Sequence, residues 1–118
     1  MSDFSFQQSE LAPGFILVAI AGKIKSDNVD RFEALFQDML KTGNKQIILD
    51  LSGLEFLNSK AVGIILKTLG GLRKSGGDIS VTGVNPQIFQ VFQLLTLDKI
   101  MKFFGTVSEA LSGLKPSS

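Results

Sequence analysis

The chain has 118 residues, 12 basic and 11 acidic, with a net charge of +1 and 44% hydrophobic content. It therefore suits one domain with a substantial core, and it lacks the basic excess of a nucleic-acid binder. It holds no His, Cys, Trp or Tyr, which excludes disulfides, thiolate nucleophiles, thiolate zinc sites, the Ser-His-Asp triad and imidazole bases, and points to a binding or switching module ahead of an enzyme.

Met1–Glu10 is too polar for a signal peptide, and no apolar run reaches the length of a membrane span. The expected setting is the cytoplasm, with no membrane partner. Phe4-Ser5-Phe6 alternates as a half-buried strand does. Ala12-Pro13-Gly14 is a turn signal, and Phe15–Ala21 reads as a buried strand that Gly22 ends. Ser26 or Asp27 caps the next helix, whose inner face is Val29, Phe32, Phe36, Met39 and Leu40, with Arg31, Glu33 and Asp38 outside. Thr42-Gly43-Asn44 stops it. Lys45–Leu51 suits a central strand, and Ser52–Leu57 reads as a connector.

Asn58 or Ser59 opens a second helix with Ala61, Val62, Ile65, Leu66, Leu69 and Leu72 on one side. Ser75-Gly76-Gly77 ends it, and Asp78–Gly83 alternates as a strand. Asn85-Pro86 pairs a cap with proline at the first helical position. The helix behind it carries Ile88, Phe89, Val91, Phe92 and Leu95, read as a well-buried core helix, the alternative being an exposed patch for self-association. Ile100–Phe104 is a short last strand and Val107–Leu114 a last helix; Lys115–Ser118 is a frayed tail. The order β-β-α-β-α-β-α-β-α predicts an α/β fold: a mixed four- to five-stranded sheet with an N-terminal hairpin and about four helices, packed mostly on one side.

The sharpest local feature is Leu57-Asn58-Ser59-Lys60-Ala61-Val62-Gly63. A serine at a helix start is most simply an N-cap, worth about 1 kcal/mol. The alternative is a phosphoacceptor, because a phosphate there sits on the positive end of the helix dipole, with Lys60 as a neighbouring cation. Asp50 reads as a turn-stabilising residue ahead of a ligand-contacting one. Asp50 and Glu55 together lack a third group for acid/base work. Asp27 and Asp30 complement a helix dipole.

The run from Ile47 to Leu66, with Asp50-Leu51-Ser52-Gly53-Leu54-Glu55-Phe56-Leu57-Asn58-Ser59 at its centre, resembles the signature segment of STAS domains of the bacterial anti-sigma-factor antagonist type. Gly22, Ser75-Gly76-Gly77-Asp78 and Leu94–Ile100 match further family positions, so the resemblance extends over most of the chain, and the domain is expected at residues 1–114 with 115–118 as a flexible tail. It implies partner switching. The unphosphorylated protein binds an anti-sigma-factor Ser/Thr kinase, the kinase phosphorylates a serine at the start of the second helix, and a phosphatase resets it. ATP and Mg²⁺ belong to the kinase, so no cofactor is expected here.

On the aligned segment the acceptor falls on Ser59, and Lys23, Lys25, Asn58, Lys60 and Val62 become its neighbours in the partner contact. The family usually reads Asp-Ser-(Ser/Ala/Thr)-Gly-(Leu/Val), whereas this chain has Asn58-Ser59-Lys60-Ala61-Val62. Lysines 23 and 25 also stand where the family tends to have acids. Three readings stay open at this level: a switch with an acidic partner, a STAS scaffold in which Ser59 is never phosphorylated, and a small-ligand or nucleotide binder. Oligomeric state is not legible.

Overall fold

The longest strand, β3 (Gln46–Leu57), forms the middle of a five-stranded sheet. Ile47, Ile48 and Leu49 are fully buried although they point alternately to opposite faces, which is the signature of a strand covered on both sides. The computed structural model describes residues 3–41 and 45–114. The expected stop signal at Thr42–Asn44 and the expected tail at Lys115–Ser118 lie outside those residues.

Around β3, the chain runs β1 (Phe4–Ala12), β2 (Phe15–Ile24), α1 (Val29–Leu40), β3, α2 (Ser59–Lys74), β4 (Asp78–Thr82), α3 (Pro86–Leu94), a 3₁₀ turn at Leu97–Lys99, β5 (Lys102–Phe104) and α4 (Val107–Leu114). The strands lie in sequence order. β1 and β2 form an antiparallel hairpin, and every later pair is parallel. The expected mixed sheet, hairpin and four helices are therefore all present. None of these helices is long and apolar enough to cross a membrane.

One face of the sheet packs Val18, Ile20, Leu49, Leu51, Ile79 and Val81 against Phe32, Phe36 and Met39 of α1, Leu69 and Leu72 of α2, and Ile88 and Phe92 of α3. Strand alternation sends Ile48 to the other face. There α4 lies against β3, β4 and β5, with Ala110 fully buried.

β3 extends through the segment expected to be a connector. Its 12 residues pair with the 10 of β2 because it carries two extra residues, one between Asp50 and Gly53 and one at Glu55. Each bulge shifts the side-chain phase by one, so Leu51, Leu54 and Leu57, three apart, all reach the core. β2 likewise continues past Gly22 to Ile24, which is fully buried opposite Leu57. Gly22 permits this with φ of 103°, and a Cβ there would stand 2.3 Å from the Asp3 carbonyl oxygen.

Other expectations are corrected at the edges of elements. Neither Ser26 nor Asp27 caps α1; Asn28 holds the cap position and its side chain is used elsewhere. On α2, Ile64 is buried while Leu66 is on the exposed side. α3 buries only Ile88 and Phe92, and Val91, Leu94 and Leu95 face outward. Only that one narrow stripe of the helix finds cover. Phe89 is half-buried, edge-on to Phe103 with centroids 5.2 Å apart. On β1, Phe4 is buried against Phe32, but Phe6 is 43% exposed because nothing comparable packs over the hairpin there.

The start of β1 is fastened to α1. The Asp3 carboxylate accepts the Phe4 N–H and pairs with Arg31, whose guanidinium lies 4.7 Å from the centroid of the Phe4 ring. The Phe4 N–H first, and Arg31 second, hold the Asp3 pKa below the ordinary carboxylate value. Asp3 thus adds stability at neutral pH that fades as pH falls through its lowered folded-state value. Replacing Asp3 with Asn should flatten that part of the acid unfolding curve and leave the curve's slope near pH 7 unchanged.

Two glycines should respond oppositely to alanine in urea unfolding. Gly22→Ala, at positive φ and against backbone, should lose at least about 1 kcal/mol. Gly63→Ala lies inside α2 with nothing within 4 Å of its new Cβ, and should gain roughly 0.5–1 kcal/mol from helix propensity.

Candidate functional site

Because β2, β3 and β4 are parallel, the three helices that follow them all start from the same edge of the sheet. In open α/β sheets that edge, at the strands' carboxyl ends, is where ligands and partners are met. An asparagine stands at each of the three junctions: Asn28, Asn58 and Asn85.

Asn28 is 6% exposed, and its side chain serves the loop, not the helix. Its Oδ1 accepts the Lys25 N–H at 2.8 Å and its Nδ2 donates to the Lys23 carbonyl at 2.9 Å. The backbone carrying Lys23 and Lys25 is therefore fixed from inside. Asn58 is the N-cap of α2, with Oδ1 accepting the Ala61 N–H at 2.9 Å. Its own N–H donates to the Ile24 carbonyl at 3.1 Å, which joins the start of α2 to that same loop. Asn85 caps α3 through the Ile88 N–H at 2.9 Å, and its Nδ2 donates to the Leu54 carbonyl at 3.1 Å. Each helix start is thus tied to a neighbouring strand.

Ser59 follows as the first residue of α2, and it is exposed. Asn58 performs the capping that the sequence assigned to Ser59. The Ser59 hydroxyl makes no hydrogen bond among the described residues. The N–H groups of Ser59 and Lys60 belong to the first turn, where no helical carbonyl is available to them. The first turn of α2 has no acidic residue and instead carries Lys60, whose Nζ lies 3.6 Å from Asp30 Oδ1 at the start of α1. An exposed hydroxyl at a positive helix end beside a cation is chemically suited to bearing an anionic group.

The other expected residues divide. Lys23 is exposed and Lys25 half-buried, and both share the edge with Asn58, Ser59 and Lys60. Val62 does not: it is buried in the core one turn into α2 and presents no contact surface. Asp50 lies in mid-strand, and its Oδ1 accepts the Ser52 N–H at 3.0 Å across the first bulge, in keeping with a local stabilising role. Glu55 is the extra residue of the second bulge and faces a different groove from Asp50.

That second bulge has a further effect. It turns Phe56 outward, 46% exposed, beside its ladder partner Lys23. Phe56, Lys23, Lys25, Asn85 and Gln87 line a shallow groove next to the helix starts. Sequence reasoning missed Phe56 and Asn28. Phe56 was hidden by the reading of its strand as a connector. Asn28 had a visible signal, since asparagine stands at the junctions from β2 to α1, β3 to α2 and β4 to α3, though not at that from β5 to α4.

A mixed sheet with helix starts gathered at one edge, and a free serine hydroxyl on one of them, describes a small α/β domain. The chain belongs to the STAS domain family, whose family model matches residues 7–110. A Thermotoga maritima protein provisionally named an anti-sigma factor antagonist is 32% identical over 81 residues, 69% of this chain and 72% of its own. The anti-sigma F factor antagonist of Paenibacillus polymyxa is 25% identical over 103 residues, 86% of this chain and 88% of its own. In three dimensions, an anti-sigma factor antagonist from Mycobacterium paratuberculosis superimposes with a TM-score of 0.84 at 23% identity, covering 97% of this chain and 96% of that one.

Cap and hydroxyl should separate cleanly in stability measurements. Asn58→Ala should cost about 1 kcal/mol through loss of the cap. Ser59→Ala should stay within roughly 0.5 kcal/mol of the parent. A larger loss at Ser59 than at Asn58 would show that the serine carries the cap after all.

Proposed function

We propose that this protein is an anti-sigma factor antagonist that works by partner switching in the cytoplasm, with Ser59 setting the switch. One observation carries the reading: Asn58 occupies the cap, so the Ser59 hydroxyl stands free and exposed at the start of α2. The relatives named as anti-sigma factor antagonists support the class.

In this mechanism the unphosphorylated edge, with Lys23, Lys25, Asn58, Ser59 and Lys60, docks on an anti-sigma-factor Ser/Thr kinase. The kinase then releases its sigma factor. An interface of standard size buries about 800 Å² on each partner. The three lysines favour an acidic surface on the kinase, since charge complementarity selects partners and speeds encounter.

Phosphorylation reverses the contact. Ser59 Oγ attacks the γ-phosphorus of the kinase's ATP, the bond to the bridging oxygen breaks, ADP leaves, and the hydroxyl proton passes to a base of the kinase. The product carries close to two negative charges. The free N–H groups and the dipole of α2 stabilise it on this chain, while an acidic partner surface repels it. A phosphatase hydrolyses the ester and restores the binding form. Nucleotide and metal come with the partner.

The test is incubation with the cognate kinase, ATP and Mg²⁺, read by intact mass. One phosphate should be added to the parent and none to Ser59→Ala. Ser59→Asp should bind the kinase at least tenfold more weakly, about 1.4 kcal/mol. An unmodified parent together with full binding by Ser59→Asp would overturn the proposal in favour of a constitutive STAS scaffold.

A further inference from the structure

The first turn of α2 contains a local conflict. Helix N-termini favour acidic side chains and disfavour lysine, yet this turn has no acid and does have Lys60. The conflict is relieved from a different helix. Asp30, in the first turn of α1, lies 3.6 Å from Lys60 Nζ. Both side chains are well exposed, 57% for Lys60 and 89% for Asp30, so the pair is weak and easily exchanged. Residues that break a local rule tend to mark functional positions.

We propose that Lys60 is a two-position counter-ion: it pairs with Asp30 when Ser59 is free and moves to the phosphate when Ser59 is phosphorylated. The inference rests on Ser59 as the acceptor and assigns the regulation of that site. A phosphate carries about twice the charge of a carboxylate at neutral pH and is attached to the residue next to Lys60, so it outcompetes Asp30. Asp30 is then left without its cation. Its neighbour Arg31 does not replace Lys60, because Arg31 is engaged by Asp3 and the Phe4 ring. Asp30 stands two residues from Asn28, which pins the backbone of Lys23 and Lys25. Phosphorylation of α2 is thereby felt at the start of α1, beside the second part of the docking edge.

The experiment uses full-length protein with phosphoserine installed at position 59 during translation, so it does not depend on a kinase. Phosphorus NMR follows the titration of the phosphate, and amide NMR follows Asp30. In Lys60→Ser the apparent pKa of the phosphate should rise by roughly 0.5 unit, the loss of one nearby cation in a water-like medium. In Lys25→Ser the rise should be smaller. In Asp30→Asn the value should fall, because the competitor for Lys60 is gone. Installing phosphoserine should shift the Asp30 amide in the parent and leave it in place in Lys60→Ser. Equal phosphate titrations in the parent and Lys60→Ser, or an Asp30 amide that shifts equally in both, would overturn the inference. Failure of a kinase to modify Ser59 would instead count against the proposed function alone.

Discussion

The parallel pairing of β2 with β3 is the constraint on which the rest of this domain depends. It runs the full length of both strands and survives two bulges, ending at Ile24 opposite Leu57. From that end the Ile24 carbonyl takes the Asn58 N–H, so the position of α2 is inherited from the ladder. Were the register to slip by one residue, the side chains of β3 would exchange faces, and Leu51, Leu54 and Leu57 would leave the core. The edge that carries the helix starts is therefore an extension of the sheet. Its geometry is fixed by the same contacts that bury Ile24 and Leu57.

This dependence explains the division of labour between Asn58 and Ser59. A helix start buried against a loop needs one good acceptor for its orphan donors. If Ser59 met that need, its hydroxyl would be committed to the backbone and poorly available to an external phosphoryl donor. With Asn58 as acceptor, the cap sits on one residue and an uncommitted hydroxyl on the next. Asn28 and Asn85 repeat the pattern at the flanking junctions, each spending its side-chain hydrogen bonds on backbone groups. Amides suit this work because they both donate and accept without carrying charge. The charge at the edge comes from Lys23, Lys25 and Lys60, with Glu55 and Asp30 beside them.

Much of the fold was legible because its main segments obey simple periods. The inner face of α1 follows the helical repeat, and residues 46–51 form an apolar run short enough to be only a strand. The misses have a common cause in bulges and edges. Leu51, Leu54 and Leu57 are spaced by three, which is neither the strand's period of two nor a sustained helical pattern. Two extra residues produce that spacing, and nothing local in the sequence announces a bulge whose partner strand lies some 30 residues away. The same blindness concealed Phe56. Leu66 was misplaced because α2 carries apolar residues on more than one flank, so its sequence does not specify which of them meets the sheet; Val62 was read correctly as an inward residue of the helix, and only the family resemblance had set it in the partner contact. Ser59 drew attention through its place at a helix start, and the family resemblance added the acceptor position. Its freedom from the cap was a matter of backbone angles, with Asn58 extended at ψ of 173°.

A hydroxyl mounted on so tightly tied an edge limits how a modification can act. The end of β2 with Lys23, and Lys25 just beyond it, are held by Asn28, and the helix starts are held by neighbouring strands. A phosphate on Ser59 would stand at the N-terminal end of α2 and would have little backbone left to rearrange. Its effect must then be expressed mainly as charge on a fixed surface, reaching neighbours over about a Debye length of 8–10 Å. That favours a switch read by repulsion of a bound partner over one read by refolding. It also makes mobile surface cations the natural adjusters of its strength, and this chain places one, Lys60, where the helix dipole alone would have selected against it.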